Sequence, residues 1–214
     1  IARDVAQALS VKPDAVQLNT AQGGTTNVDA YDRYLRWRQL FFSEYWDEEH
    51  DRQRVRLARE AVALDPAFVL GWDALARSLG ALANEVEGEQ AERMREEATQ
   101  VRAHIAGLAP DHWIVKRDRA YALWREGKQA EAIALTREIM EGGPMSYERA
   151  YPYTELIFSV GYLDETVAVV EQLKAIEPLA MFISRDLQFD YTAARRIDDA
   201  EAEYQRSLSL KGDD

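Results

Sequence analysis

The chain has 214 residues and no cysteine, which excludes disulfides, thiolate metal sites and a cysteine nucleophile. Histidine is almost as scarce: His50, His104 and His112 lack the HExxH spacing of a zinc hydrolase. We therefore expect no metal and no cofactor. No apolar run reaches the ~18–20 residues that cross a bilayer, so we expect no membrane span within this sequence.

Basic residues are also few relative to acidic residues. The chain has 26 Lys and Arg against 38 Asp and Glu, a formal net charge of −12. Such a balance is a poor match for nucleic-acid phosphates, so we expect no nucleic-acid partner. It suits a cationic partner, and it suits equally an acidic surface that only keeps the protein soluble. The sequence does not determine the cellular compartment. We favour the cytoplasm, and the periplasm is the alternative if a membrane span precedes the chain.

No pattern of catalytic residues emerges. The stretch of carboxylates from Glu85 to Glu97 includes Arg93 and Arg95, which is typical of a solvated helix face rather than of an acid–base pair. The glycine pairs at 23–24 and 142–143 lack the context of a phosphate-binding loop. Serine and threonine form no nucleophile elbow. We predict that the chain has no catalytic residues and is not an enzyme.

What the chain does have is a repeat. Pro110, Pro144 and Pro178 are each 34 residues apart, and the same interval separates Gly127 from Gly161. The same interval of 34 residues separates small residues in the second helix of each repeat: Ala132, Thr166 and Ala200. A 34-residue period is the repeat length of helix–turn–helix solenoids. In such a chain each hairpin buries its apolar face by stacking on the next.

Helical spacing of apolar residues and the proline joints predict paired helices from residue 27 onward. We predict an all-α fold, a right-handed superhelix of about five helical hairpins. The approximate repeats are 27–66, 67–110, 111–144, 145–178 and 179–212. Pro66 and Pro110 are 44 residues apart, and we place the additional residues in an acidic turn and a longer second helix over 87–108. Arg195 stands where the glycine of the preceding turns would be, so it must adopt the glycine geometry or the turn must differ.

The repeats resemble the tetratricopeptide family. The residues that carry the resemblance are Trp72, Leu75, Ala76, Leu79, Ala120, Leu123, Gly127, Ala132, Pro144, Tyr191, Ala200 and Tyr204. Two pairs, Tyr153-Thr154 and Leu187-Gln188, depart from the motif, and we expect less regular stacking around them. The resemblance covers about 27–212 and implies a domain that binds proteins or peptides along a concave face.

A narrower resemblance involves residues 25–36 and 61–68. They are similar to the C-terminal repeat regions of bacterial adenylate-cyclase-like and winged-helix regulator proteins. The chain opens at Ile1 without a methionine, and we expect 1–26 to be a helix and linker from an upstream domain, with 27–214 as the repeat domain. The resemblance implies the regulatory C-terminal part of a larger bacterial signalling or transcription-regulating protein.

First-helix surfaces of such a stack line its groove, where aromatic and arginine residues make binding hot spots. The predicted groove residues are Arg117, Tyr121, Trp124, Tyr151, Glu155, Phe158, Phe182, Arg185 and Phe189. Several of these rings could instead belong to the packing core. The leading hypothesis is a non-enzymatic interaction or scaffold module for a protein or peptide partner. The alternatives are self-association as a homodimer through the open ends, and a small-ligand sensor or all-α enzyme with a deep pocket.

Overall fold

A computed structural model describes residues 23–43 and 47–210, so residues 1–22 of the helix and linker predicted over 1–26 lie outside the described residues. Within these ranges the chain forms ten α-helices and no strand. The helices are α1 (Val28–Phe41), α2 (Glu48–Leu64), α3 (Val69–Glu85), α4 (Gly88–Leu108), α5 (Trp113–Arg125), α6 (Gln129–Glu141), α7 (Tyr147–Ser159), α8 (Leu163–Ile176), α9 (Met181–Ala193) and α10 (Ile197–Leu210).

The predicted 34-residue interval appears in the helix boundaries. The helices from α5 to α10 begin, in order, at Trp113, Gln129, Tyr147, Leu163, Met181 and Ile197. Every second start is therefore 34 residues further along the chain. In the second part of the chain α6 packs against α7, α7 against α8, α8 against α9 and α9 against α10. The prediction of an all-α fold built from tetratricopeptide-like hairpins is confirmed.

The chain divides into two compact units, residues 1–115 and 116–214, and the division falls inside α5. In the first unit α1 to α4 share an apolar core that includes Trp37, Leu79 and Ile105. The indole Nε1 of Trp37 donates to Ser78 Oγ at 2.7 Å, so the buried ring has its polar atom satisfied. This core forms because each helix carries its apolar residues on one face.

The hairpin of α3 and α4 accounts for the longer spacing between Pro66 and Pro110. Its helices have 17 and 21 residues, against 13 in each of α5 and α6. Only Val86 and Glu87 separate α3 from α4, so the prediction that an acidic turn holds additional residues is wrong. The first helix is longer as well, because buried Leu82 and Ala83 continue its apolar face for one more turn.

In the second unit the positions that depart from the motif are well packed. Tyr153 is fully buried, and its hydroxyl donates to Glu165 Oε1 at 2.5 Å and accepts from Arg137 Nε at 2.9 Å. Leu187 is fully buried too. Because Arg137, Tyr153 and Glu165 lie on α6, α7 and α8, the tyrosine connects three successive helices. Both Tyr153 and Leu187 are thus buried packing residues, although they depart from the motif.

The three regular turns share a left-handed backbone residue. Gly127 and Gly161 have φ of 79° and 91°, and Arg195, one period later, has φ of 60°. The prediction that Arg195 adopts the glycine geometry is confirmed. A non-glycine residue in this region costs about 1–2 kcal/mol, because its Cβ crowds the backbone.

We expect Arg195→Gly to stabilise the second unit by about 0.5–1 kcal/mol, since relief of the strained φ exceeds the entropy that glycine loses on folding. The matched control is Gly161→Ala, which should destabilise by about 1 kcal/mol. A Cβ at position 161 meets no atom within 4 Å of the described residues, so the backbone angle alone would account for that loss. Urea unfolding checks both values, and a destabilised Arg195→Gly would contradict the explanation.

Candidate functional site

Five of the nine predicted groove residues line one pocket in the second unit. They are Tyr151, Glu155, Phe158, Arg185 and Phe189. The pocket has a volume of about 320 Å³ and lies between α7, α8 and α9. Its rim is open to solvent, because Tyr151 is exposed and Phe189 retains 64% of its surface. The structure thus brings first-helix residues of two successive hairpins to one concave site.

Four aromatic rings line the pocket. The rings of Phe158 and Phe189 lie 5.2 Å apart between centroids and are tilted by 35°. Tyr147 and Tyr151 form a second ring pair, at 5.3 Å. Buried Val170 from α8 contributes to the lining as well. Such apolar surface can cover the stem of an inserted side chain.

Two carboxylates of α9, one helical turn apart, give the pocket its polar character. Asp186 Oδ2 accepts from the Tyr147 hydroxyl at 2.7 Å, and Asp186 Oδ1 lies 3.6 Å from the Arg185 guanidinium. Asp190 lines the same pocket and is only 6% exposed. Across the described ranges, no hydrogen bond or ion pair reaches the Asp190 carboxylate. A buried carboxylate without a partner is an uncommon and costly arrangement.

Burial perturbs the ionisation of these groups. Removal from water raises the pKa of Asp190 to about 7, and the neighbouring Asp186 charge adds to the effect. The pKa of Asp186 is raised by burial, against the hydrogen bond from Tyr147 and the nearby Arg185. The pKa of Tyr147 is raised as well, by burial and by the charge of Asp186. The carboxylate of Asp190 thus changes charge near neutral pH.

The other predicted groove residues lie outside the pocket lining. Tyr121 donates its hydroxyl to Glu155 Oε2 at 2.5 Å, a contact between positions one period apart on α5 and α7. Arg117 is nearly buried beside Asp118, at 2.9 Å, and Trp124 is partly exposed.

Phe182 packs in the interior against Tyr147. Its ring meets Tyr147 edge-on at 4.7 Å, and 9% of its surface is exposed. Phe182 is therefore a residue of the packing core, which was the alternative to a groove position.

Sequence reasoning missed Tyr147, Asp186 and Asp190, and it missed the contribution of α8. A signal for Asp190 was present in the repeat. The residue 34 positions earlier is Leu156, which is buried, so Asp190 places a carboxylate at an apolar position of the motif. A polar residue at a core position of a repeat points to a functional site or to a paired charge.

The described residues form neither a metal site nor a membrane span. In 23–43 and 47–210, no three His, Asp or Glu side chains are arranged to hold a metal ion. None of the helices that the structure describes is long and apolar enough to cross a membrane. The carboxylates from Glu85 to Glu97 lie mostly exposed at the end of α3, in the following turn and on α4, as predicted for a solvated face.

Comparison with known proteins adds little. No protein-family model matches the chain, and no curated protein sequence does. Among solved structures, a chain titled "MamA RS-1 ArsTM double mutant" aligns with 84% of this chain and 95% of its own length. The aligned residues are 12% identical and the TM-score is 0.45. A likeness at that score carries no conclusion about family, function or partner.

Proposed function

We propose that this chain is a non-enzymatic interaction module that binds a segment of another protein at the pocket between α7, α8 and α9. The observation that supports the proposal is the pocket itself, in which exposed Phe189 and half-buried Phe158 stand beside buried Asp190 and half-buried Asp186. Accessible aromatic rings around a concave site are typical binding hot spots. The volume of about 320 Å³ lies at the lower end for ligand pockets, which favours a partner's side chain over a large cofactor.

We further propose that the module regulates a larger bacterial signalling or transcription-regulating protein. This finer proposal is supported by the resemblance of residues 25–36 and 61–68 to repeat regions of such regulators. Detection of binding between this chain and the output domain of its parent protein would support it. A parent protein without such a domain would contradict it.

Selection of random peptides by display tests the binding proposal. The wild-type chain should enrich a defined peptide set, and Phe158→Ala with Phe189→Ala should weaken those peptides at least about tenfold, as expected for hot-spot rings. Tyr162→Ala is a matched control, because Tyr162 is 58% exposed and lies outside the pocket lining. We expect this control to bind within about twofold of wild type. No enrichment, or equal losses in both variants, would refute the proposal.

Self-association is a second candidate, favoured by one face of α10. Ile197, Tyr204 and Leu208 are exposed and, seven and four residues apart, share that face. An apolar helix face can pair with its own copy about a two-fold axis. Sedimentation velocity at several concentrations should then show a dimer that Tyr204→Glu dissociates, and a strict monomer would exclude this candidate.

A further inference from the structure

We propose that the pocket receives an arginine side chain of the partner, with the guanidinium held by Asp186 and Asp190. This inference rests on the proposed function and specifies which chemistry the binding site recognises. The aliphatic stem of the arginine would lie between Phe158 and Phe189, whose rings form the outer part of the pocket. The pocket would thus select peptides by one basic residue.

The first argument is the unsatisfied carboxylate. Asp190 is 94% buried, lines the pocket, and has no partner among the side chains that the structure describes. Desolvating a carboxylate without a compensating hydrogen bond is unfavourable by several kcal/mol when it is charged. An arriving cation would provide the missing partner. A purely apolar ligand would leave the carboxylate unpaired and sealed from water.

The second argument is the charge around Asp190 from each element of the pocket. From α9 come Asp186 and Arg185, and from α7 come Glu155 and the Tyr147 phenol. The pocket lining from α8 is uncharged: Thr166, Val170 and Leu173. Three carboxylates therefore stand against one guanidinium, and Arg185 is already directed to Asp186 at 3.6 Å. The site is complementary to a cation.

The third argument concerns the kind of cation. A guanidinium is planar, presents five donors and is more weakly hydrated than an ammonium, so it suits a buried carboxylate beside a half-buried one. It also interacts favourably with aromatic faces, which Phe158 and Phe189 supply. The combination of these two carboxylates with flanking rings favours arginine over an apolar or acidic side chain.

Two small probes of matched shape test this inference, n-butylguanidinium and its uncharged isostere n-butylurea. Binding to the whole chain is followed by amide chemical shifts of α7, α8 and α9. At pH 8 the cation should bind at least about tenfold tighter than the urea, since charge-assisted hydrogen bonds are roughly twice as strong as those between neutral groups. Lowering the pH from 8 to 5.5 should weaken the cation about tenfold, because Asp190 with a pKa of about 7 becomes protonated, while n-butylurea should change little.

The decisive variant is Asp190→Asn, which keeps the shape and removes the charge. In this variant we expect the affinities of n-butylguanidinium and n-butylurea to lie within about twofold of each other. Protonation of Asp190 stabilises the fold below pH ~4, and this contribution is lost as the pH rises through about 7. The Asn variant should therefore be at least as stable as wild type at pH 8. Thermal unfolding checks this, so that lost binding is not mistaken for lost structure.

Equal binding of the two probes to the wild-type chain would overturn the inference. So would a cation preference that persists unchanged in Asp190→Asn. If binding of the selected peptides depends on Phe158 and Phe189 but the peptides contain no basic residue, the proposed interaction module is supported and the inference of an arginine pocket is refuted. If no peptide is selected at all, both proposals fail.

Discussion

Replacing Arg54 with methionine is expected to destabilise the first unit by about 3–5 kcal/mol, the usual loss when one partner of a buried ion pair is removed. Arg54 and Asp51 are both essentially inaccessible, and Arg54 Nη1 lies 2.5 Å from Asp51 Oδ1. The same guanidinium donates to the carbonyl of Leu40 near the end of α1, at 2.6 and 3.2 Å. Methionine fills similar space but leaves a buried carboxylate and a carbonyl without these donors.

The measurement is urea unfolding at pH 7, followed by circular dichroism. Arg93→Met is the matched control, since Arg93 pairs with Glu89 on the exposed surface of α4, at 3.4 Å, with 64% and 90% of the side chains accessible. Exposed pairs contribute ~0–1 kcal/mol. Similar losses in the two variants would contradict the role assigned to Arg54.

The second large effect is expected at Tyr153. Truncation to alanine should destabilise the second unit by about 3–5 kcal/mol, because it removes a fully buried ring and leaves a cavity. Tyr153→Phe separates the ring from the hydroxyl. The phenylalanine variant should lose only about 1 kcal/mol, because Arg137 and Glu165 remain within 3.1 Å of each other.

Hydrogen exchange of amides in α6, α7 and α8 reports this effect locally, since Tyr153 contacts side chains on both neighbours of α7. We expect Tyr153→Ala to raise exchange in all three helices and Tyr153→Phe to leave them near wild type. Faster exchange confined to α7 would show that the tyrosine does not couple the helices.

Most of the architecture of the second unit could be predicted from sequence. The interval between prolines and glycines is a backbone requirement, so it locates turns directly, and Arg195 with φ of 60° follows it without a glycine. The helices of the first unit were harder to place. There the length of α3 depends on whether Leu82 and Ala83 pack against a neighbour, which is a tertiary property that the sequence pattern does not state.

The site was predictable in part for the same reason. Helical spacing places Tyr151, Phe158 and Phe189 on first-helix surfaces, and the structure brings them together. Spacing alone does not distinguish a groove residue from a core residue, which is why Phe182 was included although it is buried against Tyr147. The carboxylate of Asp190 matters because it is buried without a partner, and burial of that kind appears only when three helices are assembled.

Hydrogen–deuterium exchange of the chain with and without a selected arginine-containing peptide tests the pocket most directly. We predict slower exchange in α7 (Tyr147–Ser159) and α9 (Met181–Ala193), and no such protection in Asp190→Asn. Protection confined to α10, or to the helices of the first unit, would show that the partner binds elsewhere.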